Sequence, residues 1–239
     1  MFEFNVETCI DFPTPQTPRA RELMRLFGLR TERLTQQRLR HRCRLRVRGG
    51  DIVYITGASG AGKTVLLNAM YEHIDAGDRL RLDAVELATD RPLIDCIDQP
   101  LFATTETFSR AGLGDVFCML QTPAALSVGQ QHRYRLSVAM AGSAQFIFAD
   151  EFTSSLDRIT AAGVAHQIQK HAARSGKVFV LCSSHEDILP DLRPDILIIK
   201  NLNRRTETLY KDKSRDPVNR VVFTKQKPSG AFVARASSP

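Results

Sequence analysis

Several features are scarce in this chain of 239 residues. No apolar run approaches the roughly 20 residues that a helix needs to cross a bilayer, so the sequence predicts no spanning helix. The opening Met1-Phe2-Glu3-Phe4-Asn5 has neither the basic flank nor the apolar stretch of a secretory signal. Five cysteines (Cys9, Cys43, Cys96, Cys118 and Cys182) are odd in number and lack paired metal spacing. That argues against a disulfide framework and fits reduced thiols in a cytoplasmic protein. Cys96, Cys118 and Cys182 sit in apolar runs and read as core filler. No internal repeat is visible. What is present is 43% hydrophobic residues, ample for a packed core, on a length suited to one domain of about 200 residues plus a tail.

The most informative stretch is Gly57-Ala58-Ser59-Gly60-Ala61-Gly62-Lys63-Thr64, which fits the pattern G-x-x-x-x-G-K-[ST]. Glycines let the backbone wrap a triphosphate closely, so that successive N–H groups aim at phosphate oxygens. A following helix adds its free N–H groups and positive dipole end. Lys63 is expected to reach the β- and γ-phosphates, and the Thr64 hydroxyl to ligate Mg²⁺. Context supports this: Asp51 to Thr56 reads as a buried β-branched strand, and Val65 to Met70 as a helix. The bland alternative, a glycine-rich turn with a chance lysine, lacks that order.

A second buried-strand run, Phe146-Ile147-Phe148-Ala149, ends in Asp150-Glu151. Ligand sites in open α/β sheets lie at such C-terminal strand ends. Asp150 is placed to orient the Mg²⁺ shell, and Glu151 to polarise an attacking water as general base. Alone, the pair would read as a solvated loop opening; beside the phosphate loop it reads as catalytic.

With these residues in hand, the chain resembles the ABC-type ATPase family over roughly residues 45 to 200. Leu126-Ser127-Val128-Gly129-Gln130 looks like the family's signature sequence, Gln99 in Ile97-Asp98-Gln99-Pro100 like its Q-loop, Ser154-Ser155-Leu156-Asp157 like its D-loop, and His185 like its switch histidine. The resemblance implies an α/β P-loop fold with a mixed sheet core, an antiparallel β subdomain and a short helical insert. It also implies two copies paired head to tail around two ATP molecules. Each site would use Lys63, Thr64, Gln99, Asp150, Glu151 and His185 of one copy, with Gln99 near the metal. Ser127 and Gly129 would come from the other copy, and Gln130 stands beside them among the expected nucleotide-binding residues. The signature precedes an expected helix, Gln130 through Ala141, whose N-terminus can face a γ-phosphate.

The chain departs from the family's transporter subunits in three places. Gln99 and Ser127 are 28 residues apart, which leaves room for two short helices, Thr104–Ala111 and Asp115–Leu120. Phe152 follows the acidic pair where proline is usual. Upstream of Lys63 no convincing aromatic stands ready to stack on adenine; Tyr54 lies inside a strand, and Phe27 serves only if the N-terminal segment folds back. These departures look similar to a small non-transporter branch linked to acetyltransferase-like regions. They predict a soluble ATP-driven switch, argue against a membrane partner, and leave a transporter's energising subunit and a nucleic-acid clamp as alternatives.

Net charge is +7 and unevenly spread. Arg38, Arg40, Arg42, Arg44, Arg46 and Arg48 alternate with apolar residues, the period of a strand with one arginine face. Such a face either defends a sheet edge against pairing or tracks the phosphates of a nucleic acid or other polyanion; both readings stand. Elsewhere, strands are expected over 2–10, 79–87, 92–97, 178–181, 195–199 and 207–211. Helices are expected over 19–29 and 159–174. Residues 1–211 form the expected ATPase domain, with the insert over about 100–127, and 212–239 a basic tail or docking arm.

Overall fold

Strands that are apolar on both faces need cover on both sides, and the phosphate-loop strand is of that kind. The computed structural model describes residues 1–10, 17–30, 39–201, 206–211, 223–226 and 232–235. Strands β1 (Phe2–Ile10) and β2 (Leu39–Val47) form a two-stranded antiparallel sheet. The other eight are β3 (Ile52–Gly57), β4 (Arg79–Arg81), β5 (Phe146–Ala149), β6 (Val178–Cys182), β7 (Ile196–Lys200), β8 (Glu207–Lys211), β9 (Phe223–Gln226) and β10 (Phe232–Arg235). They make one sheet in the order β10-β9-β8-β7-β3-β6-β5-β4. From β7 to β4 neighbouring strands are parallel, and β8, β9 and β10 add antiparallel strands to that edge.

Period-two alternation sorts the core. Ile52 and Tyr54 of β3 point into a cluster with Ile147, Phe179 and Leu181. This face is covered by α5 (Val128–Ala141), α6 (Arg158–Ser175) and α7 (Leu189–Leu192). Val53 and Ile55 point the other way, into a cluster with Phe148 and Val180, covered by α2 (Lys63–Glu72) and the β1–β2 sheet. The arginine strand obeys the same rule: Cys43, Leu45 and Val47 are buried there, and Arg44, Arg46 and Arg48 face out. A third, smaller core built on Leu93, Phe108, Met119 and Tyr134 belongs to the insert. That insert carries α3 (Leu101–Arg110) and α4 (Val116–Met119). Helix α1 (Pro18–Leu26) has no buried residue.

The fold is the expected mixed α/β sheet with an antiparallel β subdomain and a short helical insert. Two local expectations fail. The segment 92–97 is a single 3-10 turn, Leu93–Asp95; Leu93 and Ile97 are buried, but Asp95 midway between them is exposed, which breaks the period-two face of a strand. The strand expected over 79–87 stops at Arg81, and a 3-10 turn follows over Leu82–Ala84. Leu82 and Val85, three residues apart, are the buried pair there. Strands β9 and β10 lie within the stretch read from sequence as a tail. Among the described residues, no helix is long and apolar enough to cross a membrane.

Candidate functional site

Parallel register sets the site. Ile55 of β3 is level with Cys182 of β6, and Ala149 of β5 is level with Leu181. The phosphate loop, the Asp150-Glu151 turn and the His185 segment therefore leave the sheet at one edge, from three consecutive strands. At about 4.8 Å per strand, the loop and Asp150 stand on the order of 10 Å apart across β6.

The phosphate loop leaves β3 through Gly57, whose φ is +136°. A Cβ there would collide with the carbonyl oxygen of Lys200, so only glycine lets the loop pass β7. The loop enters α2 through Gly62, a left-handed N-cap with no side chain to satisfy the first N–H groups. Lys63 is buried, and its Nζ donates to the carbonyls of Gly57 (2.9 Å) and Ala58 (3.1 Å). The amine is thus held in the mouth of its own loop. Ala58, Ser59 and Gly60 are exposed and Ala61 is buried. Thr64 is exposed on the first turn of α2.

At the end of β5, Glu151 has φ +47°, an uncommon conformation for a residue with a side chain and one that concentrates at functional sites. Three bonds hold the turn. The Glu151 N–H donates to Asp150 Oδ1 (3.0 Å), the Glu151 carbonyl accepts from the Ser154 N–H (2.9 Å), and the Phe152 N–H donates to the Cys182 carbonyl (2.9 Å). Phe152 is fully buried, with its ring against His132 of α5 at 5.8 Å between centroids. The residue in the usual proline position is therefore a core plug that pins the turn. Asp150 lies beside the Cys182 thiol; burial first, and this carboxylate second, push that thiol far above its usual range.

His185 and Gln99 are both exposed. The His185 backbone is gripped from two sides: its N–H donates to Ser183 Oγ (3.2 Å), and its carbonyl accepts from the Tyr54 hydroxyl. Ser183 also meets Thr153 Oγ1 at 3.0 Å. Tyr54, Ser183 and Thr153 are buried, so a hydroxyl network joins β3, the acidic turn and the histidine segment. Sequence reading missed this network, because only the strand register brings its members together.

The signature segment stands on the same molecule as an exposed helix start. Ser127 is the N-cap of α5 and forms a capping box: Ser127 Oγ accepts from Gln130 N–H (3.4 Å), and Gln130 Oε1 accepts from Ser127 N–H (3.0 Å). Gln130 Nε2 further donates to Cys118 Sγ (3.0 Å). The Gln130 side chain is thus occupied with bracing the helix, although Gln130 was expected among the nucleotide-binding residues. The N–H groups of Val128 and Gly129 have no intrahelical acceptor. Gly129 packs so closely that a Cβ would sit 3.0 Å from the Ser155 carbonyl oxygen, tying the signature to the Ser154–Asp157 segment. Asp157 caps α6, accepting from Thr160 N–H (3.0 Å). At the far end of α5, buried Lys177 donates to the carbonyls of Gly142 (2.6 Å) and Ala144 (2.8 Å) and anchors that terminus to the sheet.

The metal expectation rests on hard oxygen donors. Among the described residues, no group of three or more His, Cys, Asp or Glu gathers as a cage. Mg²⁺ asks for little more than one or two protein oxygens, because it keeps waters and phosphate oxygens. The Thr64 hydroxyl and the Asp150 carboxylate fit that demand.

The arginine strand meets acids that the sequence reading did not foresee. Pairing puts Glu3 opposite Arg46 and Glu7 opposite Arg42, and Arg44 Nε bonds Glu3 Oε1 at 2.8 Å. Arg44 holds the Glu3 carboxyl below its ordinary range. Arg38 lies outside the described residues. Phe27, the remaining candidate for stacking on adenine, is 73% exposed at the end of α1.

No protein-family model matches the chain. A hypophosphite import ATP-binding protein of Stutzerimonas stutzeri is 32% identical over 182 residues, covering 59% of this chain and 53% of that protein. A methionine import ATP-binding protein of Escherichia coli is 25% identical over 193 residues, covering 66% and 56%. The chain spans about half the length of the curated relatives it matches. Among solved structures, an ATP-binding cassette captured as a post-hydrolysis dimer with ADP and Pi superposes with a TM-score of 0.55 at 18% identity, over 71% of this chain and 91% of that one. A bacterial ABC exporter with ATP bound gives 0.54 at 13% identity, over 69% and 35%. The fold is that of an ABC ATPase cassette. The expected likeness to a non-transporter branch finds no support, since these relatives are named for import, and the case against a membrane partner weakens with it.

Proposed function

We propose that this chain binds ATP with Mg²⁺, hydrolyses it as an ABC-type ATPase in a two-copy sandwich, and energises a membrane partner at the cytoplasmic face. The observation that carries the reading is the exposed start of α5. Ser127 is exposed and Val128 is 71% exposed, with free N–H groups and a glycine at an anion-ready helix terminus. This terminus suits the γ-phosphate of a second copy. In the nucleotide's own copy, Gly57 to Thr64 cradle the phosphates with Lys63 as the point charge. Asp150 and Thr64 hold Mg²⁺, which when bound neutralises charge on the phosphates. Glu151 polarises water, and His185 and Gln99 complete the edge. Relatives named for import support the membrane-partner clause. So does an exposed apolar set on the insert: Leu101 (62%), Phe102 (86%), Phe117 (77%) and Leu120 (64%). Patches of this kind mark interaction sites.

Glu151→Gln should abolish turnover and trap an ATP-dependent dimer in light scattering. A strictly monomeric Glu151→Gln variant at saturating ATP defeats the sandwich. The soluble-switch reading keeps one specific support, the 28-residue separation of Gln99 and Ser127. Co-purification of the trapped dimer with a polytopic membrane protein, lost on Phe102→Asp and Phe117→Asp together, selects the membrane partner; a trapped dimer that purifies alone selects the switch.

A further inference from the structure

Helix α1 plays no part in the site. It stands in a 28-residue excursion between β1 and β2, whose last paired residues are Ile10 and Leu39. The excursion therefore leaves and re-enters the two-stranded sheet at adjacent points. Ordinary amphipathic helices bury their apolar face, yet Leu23 is 56% exposed, Leu26 77%, Phe27 73% and Leu29 42%. At about 100° per residue, Ala20, Leu23, Met24 and Leu26 of α1 share one side, with Phe27 just beyond. Arg21 and Arg25 lie on the other side, and Arg19 and Arg30 flank the ends. All four arginines are exposed. A Thr17 hydroxyl cap (3.2 Å to Ala20 N–H) and Pro18 at the first turn fix the start of the helix.

The charge has one sign: from Thr17 to Arg30 the sequence holds four arginines against a single glutamate, Glu22, a net +3.

We propose that α1 docks on an anionic phospholipid surface, lying in the interface with its apolar side inward and its arginines among the headgroups. Two features favour lipid over other occupants. A phosphate-tracking surface for nucleic acid needs cations but no row of four exposed apolar side chains. A second copy would need about 800 Å² per partner for a stable interface, more than one face of a nine-residue helix supplies. The docking stands apart from the ATP reading, because none of Arg21, Leu23, Arg25 and Leu26 belongs to that site.

The chain contains no tryptophan, so Phe27→Trp creates a single reporter at an exposed position. With the full chain, vesicles of phosphatidylglycerol mixed with phosphatidylcholine should blue-shift and intensify its emission. Co-sedimentation should be at least tenfold stronger than with phosphatidylcholine alone and should weaken as salt rises. Leu23→Asp with Leu26→Asp should remove at least nine-tenths of that binding. Arg21→Glu with Arg25→Glu should do the same, and both double variants should keep ATP affinity. Four outcomes overturn the proposal. These are an unmoved emission of the Phe27→Trp variant on anionic vesicles, binding indifferent to the apolar pair, duplex DNA bound through Arg21 and Arg25 in place of vesicles, or a concentration-dependent dimer lost in the Leu23 and Leu26 variant.

Discussion

Two helix starts in this molecule are suited to anions, and they are built in opposite ways. At α2 the N-cap is Gly62, which has no side chain, and the first-turn N–H groups are left open beside a buried lysine. At α5 the N-cap is Ser127, closed by a reciprocal box with Gln130 and exposed to solvent. An open start costs stability unless a ligand satisfies it; a self-capped start stands in water by itself. The difference suits a division of labour. The α2 start is made to hold nucleotide within one copy. The α5 start is made to wait on the surface, ready for a nucleotide held elsewhere.

The strongest way to break this comparison is to disable one start at a time. Lys63→Met removes a charge-assisted donor while keeping the apolar stem, and such bonds contribute about 1.5–3 kcal/mol. ATP affinity of the monomer should therefore fall about ten- to a hundredfold. Ser127→Ala should leave monomer affinity within a factor of about two. It should lower helix stability by about 1 kcal/mol and suppress both ATP-dependent pairing and turnover. Equilibrium binding of a fluorescent ATP analogue, run beside light scattering, separates the two. Equal losses of monomer affinity in both variants would collapse the distinction.

A smaller effect sharpens how α5 is mounted. His132, on the inner side of that helix, packs against Phe152, and its Nε2 has no hydrogen-bond partner among the described residues. Burial, followed by Arg135 and Arg133, lowers its pKa to about 4 from 6.5. The depressed value means that the unfolded chain binds the proton first as pH falls. Stability is thus fully present above about pH 6.5 and declines toward pH 4, by about 2–3 kcal/mol from this residue. His171, also lowered to about 4 by burial and then Lys177, titrates in the same window. Urea unfolding at pH 7 and pH 4.5 should show the loss, and His132→Leu should roughly halve it. An unchanged pH slope in His132→Leu would mean that α5 is not mounted on a neutral imidazole.

What could be read from the sequence tracks the range of the interaction. The phosphate loop, the acidic pair and the signature are each local, with strand, turn and helix adjacent in the chain, and the structure has these elements where the spacing requires them. Glycine at Gly57 and Gly62 was legible for the same reason. The Glu3–Arg44 pair was not, because its partners lie 41 residues apart and meet only through the β1–β2 register. Short apolar runs also misled: Pro92 to Ile97 reads as a strand, yet Asp95, between buried Leu93 and Ile97, faces out and the chain turns there. Phe152 looked like a departure from pattern. Its burial against His132 reveals a packing role that no local reading contains.

The smallest expected effect concerns the strand behind the open start. Tyr54 lies on β3, three residues before Gly57, and its hydroxyl reaches the His185 carbonyl across the sheet. Burial raises this phenol well above its ordinary range, so it stays a neutral donor at any working pH. Tyr54→Phe keeps the ring in its cluster and removes one hydrogen bond, worth about 0.5–1.5 kcal/mol. It leaves Lys63 and the loop carbonyls untouched, so ATP affinity and KM should stay within a factor of about two. The His185 backbone, however, would retain only the Ser183 contact, and kcat should fall about three- to tenfold. A phosphate-release assay over a range of ATP concentrations resolves the split. A change in KM alone would assign Tyr54 to the α2 start rather than to the histidine segment, and the two halves of the edge would then be less separable than their construction implies.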